Sequence, residues 1–178
     1  MRPQRARWRS IQSAASLSTS GSSERWCERP ITSRRRTPVS SSTLRCFEIA
    51  GWLTEKGSAS SATDKANATW IVRAGLANTS CLSFESVDKP GQFLRHYNYQ
   101  LNLNFDDGGS AFAQDATFCR TPGNSGVGNS FQSVNFPTKY LRHYNYTVYI
   151  ASNGGSNAWD ATTSWAQDTS WLTASPWS

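Results

Sequence analysis

Long hydrophobic runs are missing from this 178-residue chain, and that absence removes several classes of protein at once. A membrane-spanning helix needs about 20 consecutive apolar residues, and no segment supplies them. A secretory signal needs a basic start followed by about 7–15 apolar residues. Met1–Arg9 has the charge, but Ser10–Ser23 has no such run. No stretch keeps a 3.6-residue apolar period between helix caps, which argues against a helical fold. Cysteine is sparse: Cys27, Cys46, Cys81 and Cys119 show no CxxC or His/Cys spacing of a zinc site. No Ser/His/Asp triad, phosphate loop or metal-ligating cluster is legible, so no catalytic residue, metal or cofactor is expected.

Charge is also scarce over most of the chain. The net +6 comes from the leading segment, where residues 1–45 hold ten Arg against Glu24 and Glu28. Residues 46–178 carry eight Lys/Arg against ten Asp/Glu and are close to neutral. The basic pI is therefore poor support for nucleic-acid binding by a folded domain. Residues 1–42, rich in Arg, Ser and Thr without alternation, read as a disordered basic arm ahead of a domain at 43–178. They further read as a segment that is not the domain's native start, because resemblance to the repeats described next begins abruptly near Thr43.

What the chain does have is repetition. Leu-Arg-His-Tyr-Asn-Tyr occurs at 94–99 and again at 141–146. The match extends upstream, with Ser83-Phe84-Glu85-Ser86-Val87 over Ser130-Phe131-Gln132-Ser133-Val134 and Pro90 over Pro137. Downstream, the run Phe112 to Phe118 lies over Trp165 to Trp171. The His-to-Asp spacing is 19 residues in one copy and 25 in the other, so the loop between them varies. A worn copy precedes both, with Leu44-Arg45-Cys46 over Leu94-Arg95-His96 and Asn67 in the place of Asp115. Three units follow, roughly 34–81, 82–129 and 130–176. Internal periodicity of this kind governs the fold.

The local pattern is β. Leu101, Leu103 and Phe105 alternate with Asn102 and Asn104 before Asp106-Asp107-Gly108-Gly109, and Val148 and Ile150 precede Asn153-Gly154-Gly155. Leu53 takes the place of Leu103 in the first unit. Alternation ended by Asp/Asn-Gly predicts hairpins. Three all-β units of this length predict a β-trefoil with pseudo-threefold symmetry, since a propeller needs four or more blades. Phe84/Phe131 and Trp70/Phe118/Trp171, at matched positions, are predicted core. Unit one's SFxSV strand should fall near Ser33–Thr37, where the chain reads Ser-Arg-Arg-Arg-Thr.

Each intact unit supplies one His and one Asp, His96 with Asp115 and His143 with Asp168, flanked by Tyr97, Asn98, Tyr144 and Asn145. A neutral His donates and accepts one hydrogen bond and a carboxylate accepts at both oxygens. Together they match a vicinal diol, and an aromatic can cover the C–H face of a sugar. A structural role, with Asp capping a turn and His bracing a loop in every unit, accounts for the same pattern. Catalysis is disfavoured: glycosidase carboxyl groups stand about 5–9.5 Å apart, whereas pockets related by a threefold axis in a domain of this size lie roughly 25 Å apart. Cys81 and Cys119 bracket the second unit and can clip it shut, leaving Cys27 and Cys46 as free thiols. Asn67, Asn78 and Asn145 begin glycosylation sequons, as in secreted proteins, and a glycan on Asn145 would stand inside the third unit's motif.

The paired hexapeptides, the DATFC and QDTSW strings, Ala74-Gly75-Leu76-Ala77-Asn78 and the YIASNGG turn resemble the arabinose-binding (AbfB-type) module, carbohydrate-binding module family 42. That module stands at the C-terminus of family 54 α-L-arabinofuranosidases, and the resemblance covers about Thr43–Trp177. It implies a secreted β-trefoil that binds arabinofuranosyl side chains of arabinoxylan or arabinan. Its sugar ligands fall on His96, Asp115, His143 and Asp168, and its disulfide on Cys81–Cys119. Unit one departs at Cys46 and Asn67 and is expected not to bind. The expected partner is an arabinofuranose-substituted polysaccharide, bound by a monomer fused elsewhere to a hydrolase domain, with no nucleic acid and no membrane. Two alternatives remain: a fragment of an α-L-arabinofuranosidase without its catalytic domain, and a trefoil binding protein or nucleic acid through the Arg-rich arm.

Overall fold

The computed structural model describes Ser22–Glu28, Leu44–Phe47, Leu53–Lys56 and residues 60–174, with side chains described over 60–173. The architecture is all-β. β1 (Ser22–Glu28) precedes β2 (Leu44–Phe47), β3 (Leu53–Lys56), the short helix α1 (Ala62–Asn67) and β4 (Trp70–Ala74). The second unit runs β5 (Leu82–Ser86), β6 (Gln92–Tyr97), β7 (Gln100–Phe105), α2 (Ser110–Asp115) and β8 (Phe118–Pro122). The third repeats that order as β9 (Asn129–Ser133), β10 (Tyr140–Tyr144), β11 (Thr147–Ala151), a 3₁₀ turn at Ala158–Asp160, α3 (Trp165–Asp168) and β12 (Leu172–Ala174). Seven strands in the order β5-β6-β7-β11-β10-β9-β8 close into a barrel through the Leu82↔Phe118 pairing of β5 with β8.

The barrel closes over aromatic and branched side chains that the repeat places in register. Trp70, Phe84, Phe118, Phe131 and Trp171 are all buried, with Leu94, Leu101, Leu141, Val148 and Ile150 between them. Phe84 lies 5.3 Å from Phe131 in an edge-to-face contact. Burying a side chain of this size contributes roughly 1.5–3 kcal/mol. Polar groups repeat as faithfully as apolar ones. Ser83 Oγ donates to Ala116 O and Ser130 Oγ to Thr169 O, each at 2.7 Å. Gly75 and Gly123 turn the chain from one unit into the next, and a Cβ on either would collide with the carbonyl of Asn78 or Val127.

Three expectations change. The tight hairpin turns are not at the Asp/Asn-Gly sites. They lie inside the hexapeptide, at Asn98-Tyr99 and Asn145-Tyr146, whose positive φ angles (49° and 67°, 47° and 63°) make type I′ turns. Asp106–Gly109 instead leads from β7 into α2. Leu53 does not occupy the slot of Leu103, because Leu103 pairs with Leu94 whereas Leu53 pairs with Phe47 across a longer connection.

The third change concerns the arm. The disorder expected over residues 1–42 does not hold for Ser22–Glu28, which form β1 and pair with β12, β2 and β4. Glu24 faces Trp70 as Leu82 faces Phe118 and Asn129 faces Trp171, so β1 fills the first-strand position of unit one. Without it β4 and β12 would present bare edges. The strand expected near Ser33–Thr37 is thus upstream, displaced by a longer connection: Trp26 to Leu44 spans 18 residues, against 10 from Phe84 to Leu94. The remainder of residues 1–42 lies outside the described residues, as does Ser33–Thr37 itself.

Candidate functional site

In unit two, His96 is the penultimate residue of β6 and Asp115 is the last residue of α2. The barrel brings their side chains together, with His96 Nε2 3.4 Å from Asp115 Oδ1. In unit three, His143 on β10 stands at the same 3.4 Å from Asp168, the last residue of α3. Each aspartate is also held by the arginine of its own hexapeptide. Arg95 Nη2 lies 3.2 Å from Asp115 Oδ2, and Arg142 Nη2 donates to Asp168 Oδ2 at 2.8 Å. Arg and His occupy adjacent strand positions, whose side chains leave opposite faces, and they meet different oxygens of the one carboxylate, Arg at Oδ2 and His at Oδ1.

Unit two opens onto a cavity of about 260 Å³ lined by His96, Tyr97, Asn98, Tyr99, Asp115 and Phe136. Phe136 belongs to the connection after β9, so unit three finishes unit two's cavity. The same connection supplies Asn135. Its Oδ1 stands 2.9 Å from His96 Nε2 and accepts from Ser133 Oγ at 2.8 Å, and its Nδ2 donates to Asp115 Oδ1 at 2.8 Å. With Asn135 Oδ1 as acceptor, His96 Nε2 carries the imidazole proton. Burial is the largest influence on His96 and lowers its pKa below the ordinary 6.5. The Asn135 hydrogen bond and Asp115 act in the opposite sense, and Arg95 adds to the lowering. The site therefore holds a neutral imidazole, its Nε2–H committed to Asn135, beside a carboxylate whose oxygens offer acceptors to hydroxyls.

The predicted flanking residues divide by role. Tyr97 and Asn98 line the unit-two cavity. Asn98 and Tyr99 take left-handed backbone to do so, which for a bulky residue such as Tyr99 is strained. Phe136 at 5.5 Å and the Lys139 ammonium at 4.9 Å pack on the Tyr99 ring. In unit three, Tyr144 lies against the Arg142 guanidinium and Asn145 is exposed in its turn. Residue-pattern reasoning missed Asn135 and Phe136, and it gave no site role to the repeated Arg, which clamps the aspartate. Only the aligned Pro90 and Pro137 bracket the missing pair, since Asp88-Lys89 and Asn135-Phe136 share no identity.

Cys81 and Cys119 form the expected disulfide, with Cα atoms 4.4 Å apart. The side chains of Cys27 and Cys46, expected as free thiols, lie outside the described residues; their backbones pair in register between β1 and β2. Among the described residues no group of three or more His, Cys, Asp or Glu could hold a metal, and no helix is long and apolar enough to cross a membrane.

Residues 41–173 match the family described as the alpha-L-arabinofuranosidase B (ABFB) domain. The chain belongs to the AbfB domain family. Over 120 residues it is 52% identical to an alpha-L-arabinofuranosidase of Hypocrea jecorina, covering 67% of this chain and 24% of that protein. The alpha-L-arabinofuranosidase B of Emericella nidulans is 50% identical over 122 residues, covering 66% of this chain and 24% of that protein. A crystal structure of an arabinofuranosidase complexed with arabinofuranosyl-alpha-1,2-xylobiose superimposes with a TM-score of 0.75 at 38% identity, covering 89% of this chain and 32% of that one. This AbfB chain thus spans about a quarter of the length of the curated relatives it matches.

Proposed function

We propose that this chain is a non-catalytic, bivalent carbohydrate-binding module with a β-trefoil fold, secreted, that recognises α-L-arabinofuranosyl side chains of hemicelluloses such as arabinoxylan and arabinan. The observation that carries the reading is the pair of matched clusters, each with His and Asp 3.4 Å apart and an Arg on the second carboxylate oxygen. His96, Asp115, Tyr97 and Asn98 form one pocket, and His143, Asp168, Tyr144 and Asn145 the other. Unit one, with Cys46 and Asn67 at those positions, is silent. Residues 43–178 are the binding domain, with β1 completing its first unit. One shallow pocket binds in the high-micromolar to millimolar range, roughly −4 to −6 kcal/mol. Two pockets on one branched polymer gain avidity through effective concentration.

Affinity electrophoresis on arabinoxylan and on debranched xylan tests the reading with the parent chain, Asp115→Ala, Asp168→Ala and the double variant. Retardation by arabinoxylan alone, weaker in each single variant and lost in the double one, is expected. Equal mobility of all forms on both polymers rejects it. The relatives' names favour a second reading, in which the chain is a portion of an arabinofuranosidase. Release of nitrophenol from a 4-nitrophenyl arabinofuranoside by the purified chain would support that activity here, and none is expected.

A further inference from the structure

Beside the His96–Asp115 cavity lies a second, larger groove of about 460 Å³, bounded by Arg95, Tyr97, Asn102, Asn104, Phe105 and Phe112. The two hollows share Tyr97 as a wall, and Arg95 in the groove reaches Asp115 in the cavity at 3.2 Å. We propose that this groove is a main-chain subsite of unit two, taking a neutral pyranose residue of the glycan whose arabinofuranosyl branch occupies the cavity. The proposal rests on the reading of that cavity as an arabinofuranose pocket.

Three observations carry it. The first is aromatic surface in the open: Tyr97 and Phe105 are 61% and 67% exposed, although the alternation of β7 would have turned Phe105 inward. Exposed aromatic faces beside amides are what a sugar ring requires, C–H surface on one side and hydroxyls on the other. The second is an orphan donor. Arg95 Nε is buried and has no hydrogen-bond partner, a state that buried polar groups rarely keep.

The third is the contrast with unit three, where the equivalent space is filled. Tyr149 pairs with Arg142 as Asn102 pairs with Arg95. The longer His-to-Asp segment of unit three folds back there. It stacks Trp159 on Tyr149 at 4.4 Å and an interplanar angle of 3°, and it gives Arg142 the carbonyls of Trp159, Ala161 and Thr163. The shorter segment of unit two supplies no such plug, so a ring from outside can take the place of the tryptophan. The ligand is neutral because Arg95 is already paired with Asp115 and Asp107 also lines the groove. The two units then differ in kind: unit three reads a terminal sugar, and unit two reads the branch with its backbone.

Calorimetric titration of the full chain carrying Asp168→Ala tests this, using methyl α-L-arabinofuranoside, arabinofuranosyl-α-1,2-xylobiose and xylobiose as probes. The branched trisaccharide is expected to bind about tenfold tighter than the methyl glycoside, a difference of about 1.4 kcal/mol. Phe105→Ala, and separately Asn104→Trp as a plug, should reduce that ratio to below twofold while leaving the methyl glycoside's Kd unchanged; a thermal melt confirms that both variants fold. Equal affinities for the two arabinosides, or a ratio untouched by both variants, overturns the groove and leaves the cavity standing. Absence of methyl arabinoside binding by both the parent chain and Asp168→Ala overturns the cavity reading and the groove with it.

Discussion

At the scale of single residues, the arginine of the hexapeptide decides more than its repetition suggested. Arg142 is 1% exposed and spends its donors on Asp168 and three backbone carbonyls. Removing one partner of a buried pair costs about 3–5 kcal/mol. Arg142→Met is therefore expected to lower unfolding stability by that amount in urea titration; a loss below about 1 kcal/mol would contradict the buried-clamp account. His96 sets a pH dependence. Its folded pKa lies below the unfolded 6.5, so the unfolded chain takes up the proton first as pH falls. Stability should decline from about pH 6.5 downward, by at most about 1.4 kcal/mol per unit, until the folded imidazole itself titrates. Asp160 adds a later acid-side loss. Burial alone would raise its pKa, but bonds from the Ser152 N–H, Asn157 and Lys139 outweigh that and hold it below 3.8. Its contribution is full above that value and is lost as pH falls through its folded pKa. Urea midpoints measured from pH 8 to pH 5 should fall for the parent chain and flatten in His96→Gln.

At the scale of elements, the strand order was legible wherever residues repeat in identity and obscure wherever only register repeats. Units two and three announce themselves because His, Asp and the core aromatics recur at fixed spacing. β1 does not, because Trp26 holds the register position of Phe84 and Phe131 in a segment whose neighbours are arginines and serines, ahead of a longer connection. Sequence alone points to hairpin turns at the Asp/Asn-Gly sites, because glycine ordinarily supplies positive φ. Here Asn and a strained Tyr do it, and Phe136 and Lys139 pack on the Tyr99 ring. Asn135 was invisible for a different reason: the site crosses a unit boundary, and a repeat alignment compares units rather than joining them. Deleting Ser22–Glu28 should expose the edges of β4 and β12 and abolish the cooperative thermal transition; an unchanged melting temperature would show β1 to be dispensable. Cys27 and Cys46 stand opposite each other on antiparallel strands, at a Cα separation of about 4.5–5.5 Å that a disulfide can bridge. Titration of the unfolded, unreduced chain with a thiol reagent is expected to find no free thiol, and a count of two would contradict that pairing.

For the whole molecule, the closed barrel holds matched His–Asp clusters in fixed relation, and the departure of one unit sets the valence we propose. Unit one carries Cys46 and Asn67 where the other two units have His and Asp, while its Leu and Arg remain. Leu94 and Leu141 serve the barrel and Arg95 and Arg142 the clamp; His and Asp are the proposed ligand-binding pair. The intact units nonetheless differ, because their His-to-Asp segments fold differently, one placing three backbone carbonyls on Arg142 and the other packing the Phe112 ring on Arg95. The central claim is that two of three units bind sugar, and calorimetric stoichiometry with methyl α-L-arabinofuranoside tests it most directly. The account predicts two sites per chain, one in Asp115→Ala or Asp168→Ala, and none in the double variant. Three sites in the parent chain, or binding that survives the double substitution, would contradict it.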